Sequence, residues 1–182
     1  MAISLLIAED QRLIRAGLRN VLQQDEGIRV VGEAASGREV IDLAERLDPD
    51  VILMDLVMPE LSGIEATREL AARRLRARVI AVSSHTTERW IRRALAAGVC
   101  GYVTKTDSAE ALTGAVHAVH AGRLWLCEDA STALRASSSI GDDPLDRLSP
   151  RQKVVLQRIA EGQTSRGIAA ELGVSERTID TH

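Results

Sequence analysis

The chain has no phenylalanine and only three aromatic residues, Trp90, Tyr102 and Trp125, so any core it builds is aliphatic. Cysteine is nearly as scarce. Cys100 and Cys127 stand far apart without CxxC spacing, which argues against a disulfide framework or thiolate metal site and fits small buried residues in a reducing compartment. No run approaches the roughly 20 apolar residues of a membrane span, and no basic region leads into a long apolar stretch at the N-terminus. These absences point to a cytoplasmic chain with no membrane partner. No GxGxxG or P-loop follows the first apolar run, which disfavours a nucleotide-binding domain. The net charge of -3 argues neither for nor against a nucleic-acid partner. What remains is 182 residues, 45% hydrophobic and 27% charged, enough for a medium domain and a small one.

Five short apolar runs alternate with helical patterns. Ile3 to Ile7, Ile28 to Val31, Val51 to Met54, Val79 to Val82 and Tyr102–Val103 read as strands. Between them, Leu18, Val21 and Leu22 recur at helical spacing, and Ser36-Gly37 opens a helix carrying Val40, Ile41, Leu43, Ala44 and Leu47. Further helices cover Ala66 to Ala72, Thr87 to Ala97, and Ser108 to Ala121 with Ser108 as its cap. This alternation predicts βαβ crossovers, hence a doubly wound α/β domain with a five-stranded parallel sheet over about residues 1–122. Residues 123–146 change character: Leu124, Trp125 and Leu126 can pack back on that domain, Ala130 to Ala136 suits a short helix, and a Ser-rich, Gly-Asp-Asp-Pro stretch reads as linker. Residues 147–182 read as a small all-helical unit, with Ser149-Pro150 and Gln152 fitting a capping box.

Four strands end in polar residues of complementary type: Glu9 and Asp10, Asp55, Ser83, and Lys105. In an open parallel sheet the carboxyl ends share one edge, where ligands bind. Clustered carboxylates with open positions suit Mg²⁺, a hard cation that keeps several waters. Lys105 supplies a positive charge for a phosphoryl oxygen, Ser83 a hydroxyl donor, and Asp55 stands ready to attack phosphorus and form an aspartyl-phosphate.

Glu9-Asp10, the stretch DLVMPELSG around Asp55, Ser83, and GYVTK ending in Lys105 resemble the receiver domain of two-component response regulators. The resemblance covers about two-thirds of the chain. It implies strand order 2-1-3-4-5, the flavodoxin-like arrangement, and phosphorylation of Asp55 by a sensor histidine kinase. It further implies Mg²⁺ held by Asp10, Asp55 and the backbone carbonyl of Val57, with Glu9 as supporting acid. Ser83 and Tyr102 would be the switch residues, the hydroxyl of Ser83 moving toward the phosphoryl group while Tyr102 swings inward. His85, two positions beyond Ser83, stands where family members tune loss of the phosphoryl group, and with Val57 it would shape water access.

LSPRQKVVLQRIAEG and IAAELGVSERTIDTH resemble the helix-turn-helix output domain of LuxR-type regulators, and the two parts together resemble the NarL/FixJ subfamily. Arg177, Thr178 and Thr181 are the candidate DNA contacts on the recognition helix. The chain departs from that pattern at Val154, Gly167 and Asp180, and it stops at His182, partway through the expected recognition helix. Six basic residues against four acids from Arg147 onward give a net of +2, a modest attraction to DNA. The expected function is a phosphorylation-switched transcriptional regulator, not an enzyme beyond phosphotransfer to and from its own Asp55. Its partners would be the kinase, promoter DNA and, on phosphorylation, a second copy of the chain. The competing reading is a receiver serving as phosphate sink or protein-interaction module without DNA binding. A haloacid-dehalogenase-type enzyme is disfavoured because Val57 stands where such enzymes need a second acid.

Overall fold

In the computed structural model residues 2–137 are described, and the sequence-derived helix-turn-helix unit with Arg177, Thr178 and Thr181 lies outside them. The chain divides into two compact units, Met1–Ser138 and Ser139–His182, and all elements below belong to the first. They run β1 (Ile3–Ala8), α1 (Arg12–Leu22), β2 (Ile28–Ala34), α2 (Gly37–Leu47), β3 (Val51–Asp55), α3 (Gly63–Ala72), β4 (Arg78–Ser83), α4 (Glu88–Ala97), β5 (Gly101–Thr104), α5 (Ala109–His120), β6 (Trp125–Leu126) and α6 (Glu128–Ser137). The sheet is parallel throughout, in the order β2-β1-β3-β4-β5-β6. Five strands and their order match the sequence expectation. The sixth does not appear in it, because Leu124 to Leu126 follow the last helix with no further crossover to mark a strand; Trp125 and Leu126 find their place by pairing with Gly101 and Tyr102.

Alternation along the strands divides the core between the two faces of the sheet. Leu6, Ala8, Ile52, Met54, Ala81 and Tyr102 meet α2, α3, α4 and α6 on one side. Ile3, Leu5, Ile7, Leu53, Ile80, Val82 and Val103 meet α1 and α5 on the other. Both faces are covered, which is why β3 reads as an unbroken apolar run. Helix starts follow local chemistry. Ser36 and Ser108 accept the amides of Glu39 and Ala111, and Ser62 with Glu65 forms a reciprocal capping box at α3. In α1 the inward stripe runs through Leu18, Val21 and the fully buried Leu22, as their spacing predicts, while Leu13 is 86% exposed.

Candidate acidic phosphoacceptor site

The site forms where β1, β3, β4 and β5 end side by side. Register pairs Ala8 with Met54 and Asp55 with Val82, so the turn at Glu9-Asp10 opens beside Asp55. Lys105 follows the last residue of β5, and its amide donates to the Ser83 carbonyl at 3.1 Å, which fastens the ends of β4 and β5 together. The loop after Asp55 closes sharply. The Gly63 amide donates to the Leu56 carbonyl at 3.1 Å, and a Cβ at position 63 would lie 2.0 Å from the Asp55 carbonyl oxygen. Only glycine lets α3 begin this close to the strand that carries Asp55.

Within this frame Lys105 bridges two acids. Its Nζ lies 2.8 Å from Asp55 Oδ2 and 2.7 Å from Glu9 Oε2. Asp55 Oδ1 accepts the Val57 amide at 3.0 Å, so both oxygens of the buried carboxylate are oriented. Glu9 is wholly buried, with Oε1 accepting the Gln11 amide at 3.2 Å. Burial pushes its carboxyl above the ordinary range, the Lys105 bond pulls it back, and the neighbouring Asp55 charge adds to the rise. Burial works against the Lys105 ammonium, yet the bonds to Asp55 and Glu9 outweigh it and hold its pKa up.

The donor set fits a hard divalent cation. Glu9, Asp10 and Asp55 offer carboxylate oxygens that all lie within 4.8 Å of one another, with Asp10 on the solvent side. Beyond the ion pair with Lys105, Glu9 Oε2 has no hydrogen-bond partner among the described residues, which leaves lone pairs of a buried oxygen open. Oxygen-only ligation with one face open to water is the environment Mg²⁺ takes.

The expected switch residues lie on the next two strands, Ser83 on β4 and Tyr102 on β5. Ser83 is buried at the end of β4, with its Oγ accepting the His85 amide at 3.1 Å. Tyr102 is already inside: its ring is fully buried and its hydroxyl donates to the His85 carbonyl at 2.6 Å. Burial raises the phenol pKa, opposed by the neighbouring Ser83 side chain. The His85 ring stacks on Trp90 at 4.7 Å between centroids and 7° between planes, with Arg93 over the indole. His85 is thus tied to α4, while Val57 reaches Asp55 through its amide and leaves its side chain 52% exposed. Sequence reading missed Arg15, whose Nη1 donates to the Glu9 carbonyl at 2.5 Å. No sequence signal marked it, since an arginine on a helix beside a loop ordinarily reads as solvated.

Known proteins are similar to the chain over nearly its whole length. Residues 5–117 match the model of the response regulator receiver domain, and residues 146–182 match that of the bacterial regulatory proteins of the luxR family. The nitrate/nitrite response regulator protein NarL of Escherichia coli is 34% identical over 98% of this chain and 85% of its own length. A LuxR-family two-component response regulator from Aurantimonas sp. superposes with a TM-score of 0.73 at 30% identity, covering 76% of this chain and 99% of that one. The response regulator RcsB in complex with DNA gives a TM-score of 0.74 at 27% identity, over 100% of this chain and 88% of that chain. The chain therefore belongs to the two-component response regulators that join a receiver domain to a LuxR-type DNA-binding domain and regulate transcription.

Proposed function

We propose that Asp55 is the phosphoacceptor, taking a phosphoryl group from a phosphohistidine of a sensor kinase. The observation that carries this reading is the contact of one ammonium, Lys105, with both Asp55 and Glu9, beside Asp10. A carboxylate oxygen of Asp55 bonds to phosphorus as the bond from phosphorus to the donor nitrogen breaks, and the imidazole leaves. Lys105 is placed to follow the transferred group, exchanging its bond to Asp55 Oδ2 for one to a phosphoryl oxygen. Asp10, Asp55 and the Val57 carbonyl would hold Mg²⁺, with Glu9 in support, and the cation would neutralise charge on the phosphoryl oxygens. The chain's own chemistry is limited to gaining and losing this group.

The acyl phosphate then draws the Ser83 hydroxyl toward it, and the His85 amide loses its acceptor. Because Tyr102 donates to the same residue's carbonyl, the β4–α4 loop and α4 respond together. That response biases a pre-existing equilibrium toward a form that binds promoter DNA through residues 147–182, with Arg177, Thr178 and Thr181 at the groove, and that pairs with a second copy. The test is intact mass after incubation with phosphoramidate. Wild type with Mg²⁺ should gain one phosphoryl group; chelator or Asp55→Asn should abolish it. A gain that survives Asp55→Asn, or none in the folded wild type, would refute the assignment.

A further inference from the structure

We infer that Arg15 is a positioning residue for the acid pocket, setting its affinity for a divalent cation without touching the cation. The proposal rests on the acid-pocket reading above and adds the group that holds the pocket's shape. Arg15 belongs to α1, but its guanidinium turns back beneath the turn that precedes the helix. Nη1 donates to the carbonyl of Glu9 at 2.5 Å and approaches that of Asp10 at 3.4 Å. Nε donates to Glu33 Oε2 at 3.1 Å, and Arg19 holds the other oxygen of Glu33 at 2.8 Å. Glu33 stands in β2, opposite Ile7 of β1. One largely buried side chain thus fastens both peptide groups of the acid pair to the neighbouring strand.

Among the described residues the turn has few other backbone ties: the Glu9 amide donates to the Ala34 carbonyl at 3.0 Å, and the Gln11 amide donates to the Glu9 side chain. The guanidinium reaches these acceptors from two nitrogens held in a fixed plane, whereas an ammonium offers all three of its donors from a single atom. Outer groups that orient metal-binding carboxylates commonly change affinity 10- to 100-fold on removal.

Charge and position make opposite demands here, which lets experiment separate them. As a mere positive charge near three acids, Arg15 would repel the cation, and Arg15→Ala would tighten binding. As a positioning residue its loss weakens binding. The measurement is Mn²⁺ affinity of the full chain by electron paramagnetic resonance, with thermal melting in chelator confirming that each variant folds. Arg15→Ala is expected to weaken Mn²⁺ binding about 10-fold. Arg15→Lys should recover only part of the loss, Glu33→Gln should weaken binding in the same direction, and Arg19→Ala should change it less than about twofold. If Arg15→Ala does not fold, Arg15→Lys decides, because it keeps the charge and alters only the position. Unchanged or tighter binding in the folded variants, with wild type binding and Asp10→Asn not, overturns the positioning role and leaves the acid pocket standing. A wild type that binds no Mn²⁺ overturns both.

Discussion

Lys105 carries opposing tasks at the scale of the single residue. It neutralises two acids, each less than a tenth exposed, and it must release at least one of them to follow a phosphoryl group. Removing it strands Glu9 and Asp55 as adjacent buried negative charges, a loss that typically costs about 3 kcal/mol. Lys105→Ala should therefore melt lower than wild type, and added Mg²⁺ should raise its melting temperature more than it raises that of wild type. An equal effect of Mg²⁺ on both would place the cation elsewhere. Asp50 offers a pH test away from the site. The Ser4 hydroxyl at 2.6 Å and its amide at 2.9 Å lower the Asp50 pKa beneath its ordinary 3.8. A carboxylate depressed in the folded state stabilises above its unfolded pKa and loses that contribution as pH falls through the lower, folded value. Asp50→Ala is expected to cost about 1 kcal/mol at neutral pH, since the group is partly exposed. In urea titrations that difference should hold down to about pH 4 and shrink below it.

Among the elements, β6 and α6 change how a switch would reach the rest of the chain. The Cys127 amide donates to the Tyr102 carbonyl at 3.0 Å, and Ala130 is fully buried in the same core as Tyr102, Ile91 and Ala94. A helix seated on α4 and β5 must feel any movement of Tyr102 or α4. The buried Cys127 thiol is a built-in reporter, because burial both shields it and raises its pKa. In a Cys100→Ser background, Cys127 should react slowly with a thiol reagent, and phosphorylation should change that rate several-fold. No change would detach α6 from the switch. Ala130→Asp, by forcing a carboxylate into this contact, should speed the reaction without any phosphorylation.

Strands β3 and β4 were legible because a strand buried on both faces of a parallel sheet writes itself as an unbroken apolar run, Val51 to Met54 and Val79 to Val82. Strands β1, β2 and β5 were legible from shorter or interrupted runs set between helical patterns. Asp55, Glu9 and Lys105 were legible for a related reason: each stands at or just beyond the carboxyl end of a strand. Strand β6 was not, since its identity comes from partners in β5 rather than from its own pattern. Arg15 escaped notice because an arginine on a helix next to a loop reads as a solvated residue, and only the fold reveals two carbonyls and Glu33 within its reach.

For the whole molecule, electrostatics set what the output can do. The chain carries 26 acids against 23 Lys and Arg, yet the stretch from Arg147 onward is net positive by two. Binding of the regulator to promoter DNA should thus weaken with salt along a shallow slope, reflecting few phosphate contacts. In gel-shift titrations Arg177→Ala should lower affinity about 10-fold, the loss of one good contact. An unaffected affinity would remove Arg177 from the interface. All of this depends on where the phosphoryl group goes. The most direct measurement is to phosphorylate the full chain with Mg²⁺ and phosphoramidate, reduce the acyl phosphate with borohydride, and sequence the peptides by mass spectrometry. Homoserine at position 55, and at no other acid, is the expected result. Homoserine at Asp10 instead, hydroxynorvaline at Glu9, or neither despite a gain in mass, would contradict the assignment of Asp55 as the phosphoacceptor.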